Sequence, residues 1–220
     1  SRAMSLLNLF LSSPEQFSWN APHEMNPPLN VVITASEAIP FSKTGGLADV
    51  TTSLAKELSG MGHRVTLIVP YYPAIYHRRQ VPTLHDTRQT LHIYLGGKTQ
   101  SGQVFWSELP GTSVTVLHVH QPGYFNRPEL YQEHGEGFHY NAERFIFFSR
   151  AVMEICRSFV LRPNIIHAND WQTGLVPALL KTEYRDQAGF QDCASLFTIH
   201  NMLFQGSFPA SDMHLTGIDW

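Results

Sequence analysis

Short runs of β-branched apolar residues alternate with segments of helical periodicity along most of the chain. Residues 31–34 and 65–69 are continuously apolar, which is typical of strands covered on both faces. Between them, apolar residues recur every three or four positions over 47–61, which predicts a helix that Gly60 and Gly62 end. This strand–helix–strand unit indicates two parallel strands joined by a right-handed crossover.

The middle of the chain has a different pattern. Three alternating or aromatic-rich segments, at 90–95, 103–109 and 114–120, are separated by glycine and proline-glycine pairs. They predict a hairpin or meander that feeds back into the sheet. The polar, proline-broken stretch 121–137 is typical of a surface loop.

Helix and strand patterns alternate again toward the C terminus. The clearest helical periodicity has an apolar face from Ala142 to Phe159, and Pro163 is expected to end this helix. A strand at 164–168, a helix at 173–182 and a strand at 194–198 follow. The alternation predicts an α/β fold with a Rossmann-like, doubly wound and mainly parallel sheet.

Composition and charge narrow the class of protein. The 220 residues are 43% hydrophobic and 15% charged, and the formal charge is −3, so neither disorder nor a basic, nucleic-acid-binding or membrane-binding surface is expected. The apolar run at 6–11 is too short to cross a bilayer. Residues 1–29 are interpreted as a leader, a linker or an expression remnant, and 30–220 as the folded domain. Cys156 and Cys193 form no CxxC and indicate reduced thiols in a cytosolic protein.

Three polar clusters follow predicted strands, at 43–46, 167–171 and 200–201. Carboxyl ends of parallel strands meet at one sheet edge, where such folds bind ligands. The first cluster precedes a helix N-terminus, so Gly45 and Gly46 would let the backbone approach an anion and Lys43 would add charge. A tight turn with a solvated lysine explains the same residues equally well. Neither GxGxxG nor GxxxxGK[ST] occurs, which disfavours a dinucleotide oxidoreductase and a P-loop NTPase.

The remaining clusters leave alternatives open. His167 suits a hydrogen bond to a sugar hydroxyl, but a strand-end histidine is more often structural. Asp170 either caps the following helix, which is the preferred interpretation, or orients His167. The twelve histidines lack cysteine or carboxylate partners at ligand spacing, so no metal is expected. Glu37 and Asp170 are the only carboxylates available for glycosidase chemistry at this edge, and no GxSxG motif occurs.

Five ordered motifs resemble those of the bacterial glycogen synthases and plant starch synthases, which are retaining glucosyltransferases of the two-domain GT-B architecture. Residues 36–50 (SEAIPFSKTGGLADV) resemble SE..P..KTGGLGDV, residues 165–175 (IIHANDWQTGL) resemble HAHDWQTGL, and residues 198–206 (TIHNMLFQG) resemble TIHNLAFQG. GHRV at 62–65 with PYY at 70–72, and NAERF at 141–145, also fit. The resemblance runs from about residue 30 to the end of the chain.

The resemblance implies an enzyme that transfers glucose from ADP-glucose to the non-reducing end of an α-1,4-glucan with retention, without a metal or another cofactor. It implies that His167 holds the donor glucose. It also implies a substrate-binding set made of Lys43, Thr44, Gly45, Gly46, Asp49 and Asn201. The protein would be cytoplasmic, or plastidic in a plant. A second GT-B domain, which supplies further groups to the diphosphate and sugar, is expected as a partner, so the isolated chain is predicted to be inactive.

Three residues differ from the family pattern. Ala48 replaces a glycine, which is tolerated if the position is helical. Asn169 replaces the second histidine of HAHDW. Tyr140 stands where the family has an aspartate thought to face the active site, and Asp170 lies in the same motif as Asn169. These differences leave two alternatives, namely a non-catalytic protein that binds glucan or sugar nucleotide and a related GT-B transferase with another donor.

Overall fold

The computed structural model describes residues 27–218, and its centre is one seven-stranded sheet. A two-stranded ribbon is separate from it. The strands, in chain order, are β1 (Asn30–Thr34), β2 (Arg64–Pro70), β3 (His85–Leu95), β4 (Lys98–Glu108), β5 (Thr115–His120), the ribbon strands β6 (Gln132–Glu133) and β7 (Glu136–Gly137), β8 (Ile165–Asn169) and β9 (Ala194–Thr198).

Helices connect and cover these strands. The α-helices are α1 (Leu47–Gly60), α2 (Pro73–Tyr76), α3 (Pro122–Phe125), α4 (Asn141–Ser158) and α5 (Leu175–Leu179). Trp171–Thr173 and Ala210–Thr216 form 3₁₀ turns, and Leu180–Tyr184 continues α5 as a π-helical turn. In the described part of the chain no helix is both long and apolar enough to cross a membrane.

The strand order β3-β4-β5-β2-β1-β8-β9 confirms the doubly wound α/β prediction. All neighbours from β5 to β9 are parallel, and β3 and β4 add an antiparallel edge next to β5. Chain order reverses between β1 and β8, which lie side by side as the fifth and sixth strands of the sheet. This switch point is where open α/β sheets bind ligands.

The core is thickest at the central strands. Val32 and Ile33 of β1 and Leu67 and Ile68 of β2 have no exposed surface, so both faces of these strands are covered. Helix α4 buries the predicted apolar face. By contrast, four of the five residues of β9, at the outer edge of the sheet, are exposed. Hydrophobic burial therefore stabilises β1 and β2, and the first predicted cluster follows β1.

The structure corrects three local predictions. Helix α4 ends at Ser158, before Pro163, because Val160 and Arg162 adopt positive φ angles of 52° and 46°. Residues 121–137 are not only a surface loop, since their aromatic side chains enter the core. The predicted helix at 173–182 is divided among a 3₁₀ turn, α5 and a π-helical turn. Ala48 lies inside α1, which is the helical condition under which alanine can replace glycine there.

Candidate active site

A cleft of about 1120 Å³ opens at the carboxyl ends of β1, β8 and β9. Six of the residues predicted from the sequence line it, namely Lys43, Thr44, Gly45, Gly46, Asp170 and Asn201. The other lining residues used below are Glu37, Arg78, Arg79, Tyr131, Trp171, Gln172 and His200. The three clusters therefore meet at the switch point of the sheet, as their positions after parallel strands predict.

The loop after β1 is organised by the buried carboxylate of Glu37, which is 3% exposed. Its Oε2 accepts hydrogen bonds from the backbone N–H of Thr44 at 2.5 Å and of Gly45 at 3.4 Å. Its Oε1 accepts the Thr44 hydroxyl at 2.7 Å. Because hydrogen bonds to an ionised acceptor are stronger than neutral ones, Glu37 holds the turn that carries Lys43.

Tyr131 joins this loop to residues 121–137. Its hydroxyl donates to Oε1 of Glu37 at 2.7 Å and lies 2.6 Å from Oγ of Ser36. Burial, with smaller contributions from Tyr72 and Glu37, raises the pKa of Tyr131 well above its usual range. The phenol therefore stays protonated and remains a donor to the carboxylate.

The N-terminus of α1 opens into the cleft without a side-chain cap on Gly46. A Cβ added to Gly45 or Gly46 would meet no atom within 4 Å, so a ligand has free access to this backbone. Unpaired N–H groups and the helix dipole favour an anion here.

Cationic side chains surround the same end of the helix. Lys43 forms an ion pair with Asp49 at 2.7 Å, and Nη2 of Arg79 donates to the Lys43 carbonyl at 3.3 Å. Arg78 lines the cleft beside Arg79. The β1–β2 side of the cleft can thus hold a phosphate or diphosphate group.

Asp170, directly after β8, has φ 58° and ψ 176°, a conformation that is unusual for any residue except glycine. Its N–H donates to the Thr198 carbonyl at 2.9 Å, and its Oδ1 accepts from the His200 N–H at 2.6 Å. No side-chain bond caps the following turn. The preferred prediction that Asp170 is a helix cap is wrong, because its carboxylate instead fixes the chain that leaves β9.

Asn169 and His200 form a polar pair between β8 and β9. Nε2 of His200 lies 2.9 Å from Oδ1 of Asn169, while Nδ2 of Asn169 donates to the Thr34 and His167 carbonyls at 3.2 Å each. This arrangement fixes the amide of Asn169, so that its oxygen accepts from the imidazole. Asn169 therefore orients His200, and His200 and Asn201 line the cleft.

Four predicted residues lie outside the cleft lining, namely Asn169, whose contacts are described above, and the three that follow. His167 is 8% exposed and its Nε2 lies 2.8 Å from Oγ1 of Thr198; burial and the nearby His200 lower its pKa. The Tyr140 hydroxyl accepts from Nε of Arg127 at 2.6 Å. Asp49 reaches the site through Lys43. The substrate contacts assigned to these residues stay predictions.

Sequence reasoning missed several residues of the cleft. It placed His200 in the third polar cluster but assigned a substrate role only to Asn201, and it considered Glu37 only as a glycosidase carboxylate. Arg78 and Arg79 could have been found, because they also follow a parallel strand, β2. Tyr131 offered no such signal, since it lies 94 positions from the carboxylate that it contacts. Among the described residues no group of three His, Cys, Asp or Glu side chains could hold a metal ion.

The doubly wound sheet, with a cleft at its switch point, defines a Rossmann-like α/β domain. The chain belongs to the starch synthase catalytic domain family, which matches residues 30–220. The family membership predicted from the five motifs is thereby confirmed.

Relatives of this chain are known in sequence and structure. It is 48% identical over 190 residues to the glycogen synthase of Elusimicrobium minutum (strain Pei191), and 39% identical over 191 residues to that of Syntrophotalea carbinolica (strain DSM 2380 / NBRC 103641 / GraBd1). These matches cover 86% and 87% of this chain, but only 38% and 39% of the relatives.

A solved structure supports the same family assignment. The catalytic domain of starch synthase IV from Arabidopsis thaliana bound to ADP and acarbose matches with a TM-score of 0.75 and 32% identity. The match covers 87% of this chain and 38% of that chain. The chain thus spans about two fifths of the length of the relatives that it matches.

Proposed function

We propose that this chain is the N-terminal, acceptor-side domain of a glycogen or starch synthase. The full-length protein would transfer glucose from ADP-glucose to the non-reducing end of an α-1,4-glucan with retention. The observation that carries the proposal is the convergence of the loops after β1, β8 and β9 on one cleft. Its support comes from family membership and from the starch synthase IV structure bound to ADP.

In this proposal the β1 side of the cleft receives the diphosphate. Gly46 would present its backbone N–H at the uncapped N-terminus of α1, and Lys43 would supply positive charge. Thr44 and Gly45, whose N–H groups bond Glu37, would shape the loop around the anion. Asp49 would hold the Lys43 ammonium until a phosphate competes for it, which is consistent with their exposed ion pair. Such fixed donors stabilise charge that develops on a departing diphosphate.

The β8–β9 side would contact the sugar. Asp170 and Asn201 line this wall, and we add His200, which Asn169 orients. The contact between His167 and the donor glucose, which the family resemblance implies, would use a ring whose Nε2 is already paired with Thr198.

Retention is proposed to occur by attack on the same face of an oxocarbenium-like centre. The buried carboxylate of Glu37 is engaged by Thr44, Gly45 and Tyr131, so it is not available as a nucleophile. Catalysis would rest on electrostatic stabilisation of ADP and on positioning of the acceptor hydroxyl. ADP-glucose is a substrate, and no cofactor is part of the proposal.

The first test is glucosyl transfer to glycogen by the full-length protein, with ADP-glucose and UDP-glucose compared side by side. Transfer from ADP-glucose supports the proposal. Transfer from UDP-glucose alone favours a related GT-B transferase, and no transfer from either donor by a folded protein contradicts the synthase assignment.

The proposed partner domain has its own test. The isolated 220-residue chain should not incorporate labelled glucose into glycogen, because further groups for the diphosphate and sugar are proposed to lie on a second GT-B domain. Incorporation by the isolated chain would show that this part of the proposal is wrong.

Tyr140 motivates a second candidate, a non-catalytic protein that binds glucan or sugar nucleotide. Its side chain contacts Arg127 and does not line the cleft, which favours the enzymatic proposal. Tyr140→Asp in the full-length protein separates the two candidates. A gain of transfer from an inactive protein favours the non-catalytic candidate, whereas an active parent with little change in rate favours the enzyme.

A further inference from the structure

Gln172 lines the cleft and has a buried, unsatisfied hydrogen-bond acceptor on its side chain. The residue lies in the 3₁₀ turn after β8, is only 5% exposed, and lines the cleft beside Trp171. Its Oε1 is buried and has no hydrogen-bond partner. Three other side-chain atoms in the described part of the chain share this property, on Thr34, Tyr72 and Arg144, and none of these residues lines the cleft.

An unmade hydrogen bond at a buried acceptor is unfavourable, so this position needs an explanation. The backbone carbonyl of Gln172 cannot be the partner, because it is itself an acceptor and receives the Ser149 hydroxyl at 3.4 Å. Neither neighbouring side chain bonds this oxygen. The Asp170 carboxylate is itself an acceptor, from His200, and the Trp171 ring packs on Phe145 with centroids 5.0 Å apart. The side-chain oxygen is thus buried without a donor from the protein.

The missing partner must be a hydrogen-bond donor, because Oε1 of Gln172 is an acceptor. A carboxamide oxygen accepts and cannot donate, so it does not suit a phosphate, which needs donors. The cationic residues of the cleft, Lys43, Arg78 and Arg79, follow β1 and β2, whereas Gln172 follows β8. The anion and the partner of Gln172 therefore belong to different sides of the cleft.

We propose that the side chain of Gln172 turns into the cleft when substrate binds, so that its Oε1 accepts a hydrogen bond from a glucosyl hydroxyl and helps to select the sugar. This inference rests on the proposed synthase function. The hydroxyl belongs either to the donor glucose or to the terminal glucose of the acceptor glucan. An aromatic wall with a single buried amide is a common arrangement in small-molecule sites, where a few polar groups give specificity.

The test uses Gln172→Met in the full-length protein. Methionine has a similar length and no strong acceptor, so it removes the hydrogen bond and the buried unsatisfied atom together. In the absence of ligand, the melting temperature should stay equal or rise. At the same time, KM should increase about tenfold for ADP-glucose or for glycogen. Gln89→Met, at an exposed position on β3, is the matched control and should change neither quantity.

Two measurements separate the sources of the hydroxyl. If the donor supplies it, affinity for ADP-glucose falls while affinity for ADP is unchanged. If the acceptor supplies it, only KM for glycogen rises. Each result supports the inference, and a structural role would instead lower the melting temperature without a selective change in KM.

The failure of this inference differs from the failure of the proposed function. An active wild-type protein whose Gln172→Met variant keeps both KM values overturns the role of Gln172 alone. A folded wild-type protein that transfers no glucose overturns the function and this inference with it. If Gln172→Met does not fold, Gln172→Leu provides the same comparison, and an unchanged KM for both substrates again rejects the role.

Discussion

Asp170 lines the cleft with a strained backbone, and hydrogen bonds from both sides of the chain hold it there. Its φ of 58° with ψ of 176° costs on the order of 1–3 kcal/mol for a residue with a Cβ. Its N–H bonds Thr198, its carboxylate accepts from His200, and its carbonyl accepts from the Thr173 N–H at 3.0 Å. The strain therefore fixes the point at which β8 and β9 deliver their polar residues to the site.

The first prediction follows from this strain. Asp170→Ala should destabilise the protein by about 1–3 kcal/mol, because the bond to His200 is lost and the strain remains. Asp170→Gly loses the same bond but relieves the strain, so it should be more stable than Asp170→Ala by about 1 kcal/mol or more. Urea unfolding of both variants measures the order, and an alanine variant more stable than the glycine variant would contradict it.

The second prediction concerns Glu37. Glu37→Gln should lower the free energy of unfolding by about 2–3 kcal/mol, because an amide NH₂ must face at least one of the donors from Thr44, Gly45 and Tyr131. The matched control Glu57→Gln, exposed on α1, should change it by less than about 0.5 kcal/mol. Equal effects in urea unfolding would show that Glu37 does not hold the loop.

At this scale the sequence predicts residues that follow a strand directly and misses those that reach the cleft from elsewhere. Lys43 and Asn201 were found because the strand-end rule is local. His200 was placed in the same cluster as Asn201 but received no role, because pattern does not show which side chain faces inward. Tyr131 could not be found, since its contact with Glu37 depends on the path of the chain between β5 and α4.

Individual elements are predictable where one periodicity persists, as in α1 and α4. The packing of residues 121–137 is not predictable in this way, because it depends on hydrogen bonds that the hydrophobic pattern does not show. Buried Arg144 of α4 donates to the Tyr124 carbonyl at 2.8 Å and to Oδ1 of Asn141 at 2.7 Å. Its guanidinium also lies 4.9 Å from the ring centre of Phe138. A single basic residue thus holds the segment that composition assigns to the surface.

The third prediction belongs to α1. Ala48→Gly, which restores the residue usual in the family, should lower the free energy of unfolding by about 0.5–1 kcal/mol, because Ala48 is helical and needs no positive φ. Ala55→Gly, deeper in the same helix, is the matched comparison and should cost at least as much. Thermal unfolding measures both, and a glycine at 48 that stabilises the protein would contradict this account.

For the whole molecule, the sequence predicts the parallel sheet and the meeting of three clusters at one edge. Continuous apolar runs and right-handed crossovers restrict how β1, β2 and β8 can be arranged. The position of β5 beside β2 is less predictable, because two antiparallel strands separate them along the chain. That pairing places the polar side chain of His118 in the core. The buried imidazole makes the stability of the protein depend on pH.

His118 on β5 is fully buried between β4 and α2. Its Nε2 lies 2.9 Å from Oγ of Ser107, its Nδ1 lies 3.1 Å from the Tyr76 hydroxyl, and the Phe41 ring packs against it. Burial lowers the pKa of His118 from 6.5 to about 3. Between these two values the unfolded chain binds a proton that the folded chain does not, so stability is lost as pH falls.

The fourth prediction is the size of this dependence. His118 should contribute a loss of about 1.4 kcal/mol per pH unit between about pH 6 and pH 4, and His118→Gln should remove that contribution to the slope even if it lowers stability at every pH. Urea unfolding of the 220-residue chain at several pH values gives the slopes. His92→Gln, exposed on β3, is the matched control and should keep the wild-type slope. A His118→Gln protein with that same slope would show that the buried imidazole does not govern acid sensitivity.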